Sequence, residues 1–71
     1  MSIFFLGDKI TATVNGDQRI TGVIKEFDYD VRAIILGAPQ EVAVVEVTKA
    51  DSADVIGAWL LVPVAELEAV A

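Results

Sequence analysis

Asn15-Gly16 is the feature that most restricts how this chain can fold. It stands between two runs that alternate apolar and polar residues, and Asn-Gly in that setting is the strongest short-range hairpin signal. Upstream, Lys9-Ile10-Thr11-Ala12-Thr13-Val14 puts Ile10, Ala12 and Val14 on one face and Lys9, Thr11 and Thr13 on the other, the pattern of a half-buried strand. Downstream, Gln18 to Ile24 offers Ile20, Gly22 and Ile24 as its inward set. Parity then selects the loop. A two-residue loop opposes Ile10 to Thr21 and Ala12 to Arg19, mixing core with solvent. A three-residue loop sets Ile20 or Gly22 opposite Ile10, with Gly16 supplying the positive φ of a bulge.

Other segments continue the theme. Gly7-Asp8 is a turn signal. Lys25-Glu26-Phe27 prolongs the second strand, and Asp28-Tyr29-Asp30 reads as a turn after it, since Asp favours side-chain-to-backbone bonds. Val31 to Leu36 is expected to be a third strand, bounded by Gly37-Ala38-Pro39, and Glu41 to Thr48 a fourth. Asp51-Ser52-Ala53-Asp54 suits one helical turn with Asp51 as its N-cap. Trp59 to Val62 is a fifth strand, which Pro63 either ends or marks as an edge. Ala65-Glu66-Leu67-Glu68 reads as a closing helical turn.

Five short strands with tight turns predict an all-β fold. Closure removes exposed strand edges, so the expectation is a small SH3-like five-stranded barrel, with a short helical turn before and after the last strand. Residues 1–71 are expected to form a single small β-barrel domain. Gly7-Asp8-Lys9-Ile10 and Thr21-Gly22-Val23-Ile24 resemble the opening of many small SH3-like and Tudor-like barrels. Families built this way bind protein tails, RNA or other proteins, and the resemblance selects none of them.

Composition removes most chemistry. The chain of 71 residues has no His and no Cys. It therefore has no imidazole base, no thiol nucleophile and no thiolate metal site. Ser2 and Ser52 are its only serines, and neither has a His partner for triad chemistry. No Gly-rich loop precedes a helix to cradle phosphate. The Asp pairs at Asp28/Asp30 and Asp51/Asp54 fall short of the six or more oxygens that calcium takes. The expectation is a protein that is not an enzyme and that has no cofactor and no metal.

Five Lys+Arg against eleven Asp+Glu give a net charge of −6. Lys9, Arg19, Lys25, Arg32 and Lys49 are scattered singly, so neither nucleic acid nor an anionic membrane surface is an expected partner. Ile3 to Leu6 is too short for a signal peptide and lacks a basic region before it. The expected location is the cytoplasm. The size is that of the small modules that compact genomes, phage genomes among them, encode in number.

What remains is contact with protein. Apolar residues make up 55% of the chain, more than one small core readily hides. Phe4 and Phe5 are adjacent, so in an extended segment they point to opposite sides and one lacks a place in the core. Ile34, Val44 and Leu60 are expected to point outward from strands that are apolar on both faces. Trp59 is expected to fill the core beside Phe27. The alternative places it, like Tyr29, on an open face as a contact residue. The sequence therefore predicts a protein–protein interaction module that forms at least a dimer or joins a larger assembly. Its contact would draw on Phe4 or Phe5, Tyr29, Val44, Trp59 and Leu60. The competing expectation is a small-ligand pocket at Trp59, at Tyr29 or at a subunit interface.

Overall fold

The structure, a computed structural model, describes residues 4–30 and 40–70, the side chains of Tyr29 and Asp30 excepted. It is all-β. Strands β1 (Lys9–Val14), β2 (Gln18–Asp30), β3 (Gln40–Ala50), β4 (Trp59–Pro63) and β5 (Glu68–Ala69) form one antiparallel sheet in the order β4-β3-β2-β1-β5. One 3-10 turn, Ala53–Val55, precedes β4, and another, Val64–Glu66, follows it. Among the described residues the ladder does not close, and β4 and β5 are its two edges.

The β1–β2 hairpin follows the parity argument. Ile10 lies opposite Gly22, Ala12 opposite Ile20 and Val14 opposite Gln18. The loop is thus Asn15-Gly16-Asp17. Asn15 has φ of 53° and Gly16 of 85°, both in the left-handed region. A β-branched side chain resists that region, so Gly16→Val is expected to cost about 1–3 kcal/mol, as other strained backbone sites do. Chemical denaturation checks this, and an unchanged midpoint would contradict it.

Strand β2 runs through Asp28-Tyr29-Asp30, where the sequence suggested a turn. These residues pair with Val42, Glu41 and Gln40 of β3, and pairing with a neighbouring strand overrides the turn preference of Asp. The expected third strand, 31–36, lies outside the described residues. Two bulges shape the β2–β3 pairing. Thr48 is the extra residue on β3, and its Oγ1 donates to the Thr21 carbonyl at 3.3 Å. Lys25 is the extra residue on β2. A bulge shifts the side-chain alternation by one. Ile20, Gly22 and Ile24 therefore point inward before Lys25, and Phe27 does so after it.

The inward face carries the core: Ile10, Ala12, Ile20, Ile24, Ala43, Val45, Val47, Val62 and Leu67. Val62 belongs to one edge strand and Leu67 directly precedes the other, yet both sit in this one cluster. Glu68 is not part of a closing helical turn. The 3-10 turn ends at Glu66, and Glu68–Ala69 pair with Thr11 and Ile10 of β1. Arg19 braces that pairing, donating to Thr13 Oγ1 at 3.0 Å, Thr11 Oγ1 at 3.2 Å and Glu68 Oε2 at 2.6 Å. Both members of the ion pair are exposed, so it contributes about 0–1 kcal/mol.

Candidate interaction surface

The outward face of β3 and β4 holds an unburied apolar group within the sheet itself. Register pairs Val45 with Leu60 and Ala43 with Val62, and all four belong to the core or pack on it. Alternation then sends Trp59 and Leu61 to the other face, opposite Glu46 and Val44. Trp59 is 57% exposed and Leu61 56% exposed. Val44 is half-buried beside them.

Two expectations are corrected here. Trp59 does not fill the core beside Phe27, since Leu60 and Val62 take the inward positions of β4. Leu60 does not point outward, and it packs against the core instead. Its neighbour Leu61 takes the outward place. Sequence could not separate these two, because Trp59 to Val62 is apolar at every position and offers no alternation to read.

Trp59 does not stand alone on this face. The Lys25 Nζ lies 5.8 Å from the centroid of its ring and 3.7 Å from Glu46 Oε1. A cation over an exposed indole contributes about 0.5–1 kcal/mol. The Lys25 bulge thus turns a charged side chain across β3 toward β4. Sequence reasoning missed Lys25 because a bulge leaves no signature in a single chain.

A second apolar group lies at the start of β1. Phe4 is half-buried and packs against the core, whereas Phe5 is 70% exposed and Leu6 64% exposed. The opposite placement of the two phenylalanines follows the expected alternation. The main chain here is held. The Phe5 N–H donates to Asp8 Oδ2 at 2.9 Å, the Asp8 N–H to the Phe5 carbonyl at 3.1 Å, and the Gly7 N–H to the Ile24 carbonyl at 2.8 Å. Asp8 closes a tight turn whose tip presents Phe5 and Leu6 to solvent. Phe5 precedes β1 and Trp59 opens β4, with β2 and β3 between those strands in the sheet.

The main chain of Tyr29 pairs with Glu41, while its side chain and Ile34 lie outside the described residues. Asp51 does not cap a helix. Ser52 holds the N-cap position of the first 3-10 turn without a side-chain bond. Backbone carbonyls already accept from the Val55 and Ile56 amides, leaving that cap little to do. Among the described residues, no three acidic groups converge as a metal site would require. No helix among them is long and apolar enough to cross a membrane. Two surface clefts, one at Thr11, Arg19 and Lys49 and one at Phe4, Lys9 and Val70, do not reach Trp59.

Comparison with known proteins finds no family model that matches the chain, and no curated protein or solved structure with significant similarity to it.

Proposed function

We propose that the protein is a non-enzymatic protein–protein interaction module that self-associates or serves as an accessory subunit of a larger assembly, and of the two the structure favours self-association. The carrying observation is the pair Trp59 and Leu61. Both stand more than half exposed, side by side on one outward face of β4, next to Val44. Monomers seldom leave large contiguous apolar patches in water, and Trp is enriched among residues that dominate binding energy. Burial of such area is favourable by roughly 25 cal/mol per Å². The strand order, and a single core cluster that includes both Val62 and Leu67, support an SH3-like barrel left open between β4 and β5.

Trp59 is the only tryptophan, so its fluorescence reports on this face alone. With rising protein concentration its emission is expected to move to shorter wavelength as the ring leaves water. Leu61→Lys changes an exposed position and is expected to stay folded while losing that shift. An emission maximum independent of concentration in the unaltered protein would contradict the reading.

A further inference from the structure

The two edges of the sheet are protected very differently. Strand β5 is two residues long, and its Glu68 is engaged by Arg19. Strand β4 is five residues long, Trp59-Leu60-Leu61-Val62-Pro63, and carries no charge. Natural edge strands are commonly blunted by charge, by Pro or by a bulge, and here Pro63 stands only at the last position.

The main chain of β4 can be oriented from its neighbour. The Val47 N–H donates to the Ala58 carbonyl at 2.9 Å, and the Val47 carbonyl accepts from the Gly57 N–H at 2.8 Å. Main-chain groups alternate sides along an antiparallel ladder. Val45 and Ala43 therefore also turn toward β4, bonding Leu60 and Val62, their partners in register. The N–H and C=O of Trp59 and of Leu61 consequently face away from β3, along the open edge. Among the described residues, those with the exposed side chains are thus the ones whose peptide groups have no strand partner.

We propose that this edge pairs antiparallel with β4 of a second copy across a two-fold axis, setting Trp59 opposite Leu61 of the second copy. The proposal rests on the self-association reading above and specifies its mode. Pro63 selects the register. Centring the axis on Leu61 would leave the Trp59 carbonyl facing a Pro63 that has no N–H. Pairing Trp59 with Leu61 of the second copy instead satisfies all four free groups of those two residues in each chain. Charge agrees, because like charges directly opposite destabilise a strand pair and β4 has none. The nearest charged neighbours, Lys25 and Glu46, already face one another. Self-pairing also lays Trp59 on Leu61 twice, covering the apolar group on both copies. Five residues a side do not reach the roughly 800 Å² per partner of a standard interface, so a micromolar dimer is expected.

Amide hydrogen exchange on the whole chain, read beside sedimentation at the same concentrations, tests this. The Trp59 and Leu61 amides are expected to exchange fast in the dilute monomer and to slow by about tenfold or more once the dimer predominates. Leu61→Ala and Leu61→Pro both lose the leucine side chain, but only the proline loses the N–H. Proline is expected to weaken the dimer about tenfold beyond alanine. A dimer in which both amides stay fast, or which the two variants weaken equally, would overturn edge pairing and leave self-association standing. Both amides already slow in the dilute monomer would overturn it as well, since the chain would be covering its own edge. A monomer at every concentration would overturn both readings and leave the edge to a strand of a different protein.

Discussion

Ile24→Ala is expected to lower the stability of the domain by about 2–5 kcal/mol, the usual range for truncating a buried Ile. Ile24 is 1% exposed and belongs to the cluster formed by Ile10, Ala43, Val45 and Val62. Its main chain also ties β2 to the turn before β1, donating to the Asp8 carbonyl at 3.0 Å and accepting from the Gly7 N–H at 2.8 Å. The Lys25 bulge follows immediately, so the neighbouring backbone has little freedom to move in and fill the space. A domain this small has only about 5 kcal/mol to lose, and the variant should be largely unfolded near physiological temperature. Val45→Ala, at a position 0% exposed, removes less and should cost less. Thermal unfolding of both variants gives the answer. Melting within a degree or two of the unaltered protein would mean that the inward face has been assigned to the wrong residues.

Gly22→Ala is expected to cost about 1–3 kcal/mol by overpacking. No unusual backbone angle is involved here. Gly22 lies between Ile10 and Val47 in the sheet, where β3 is displaced by the Thr48 bulge. A Cβ at this position would meet Val45 Cγ1 at 2.5 Å and the Glu46 carbonyl oxygen at 2.6 Å. The Val45 methyl is on a β-branched, fully buried side chain with little freedom, and the carbonyl is main chain within a ladder and cannot move without breaking register. Glycine within a strand commonly marks such a close approach of backbone. An unchanged melting temperature for Gly22→Ala would show that the Glu46 carbonyl stands further than 2.6 Å from a Cβ at this position.

The residues that sequence placed correctly are those with a clear alternation. Ile10, Ala12, Ile20, Gly22 and Ile24 could be assigned because Thr and charged residues mark the opposite face, and because one parity of loop alone matched the two strands. No such contrast exists in Val42 to Val45 or in Trp59 to Val62, where both faces are apolar. Leu60 and Leu61 exchanged roles for that reason, and Trp59 left the core. The bulges at Lys25 and Thr48 arise from the meeting of two strands and leave no trace in either one alone. Asp28 and Asp30 carry a turn preference that is local, whereas their pairing with β3 is not. Strand β5, at two residues, is below what any periodicity can reveal. The candidate site was therefore half legible: Val44 and Trp59 were singled out, Leu61 and Lys25 were not, and the open edge of β4 follows only from strand order.

Self-association requires that a second copy of the chain cover the outward residues of β4. Sedimentation equilibrium of the unaltered protein, from low to high micromolar concentration, tests this most directly. The mass is expected to rise from about 7.6 kDa toward twice that value as concentration increases. Leu61→Lys is expected to hold at the monomer mass throughout. A single monomer mass for the unaltered protein across the whole range would contradict the account.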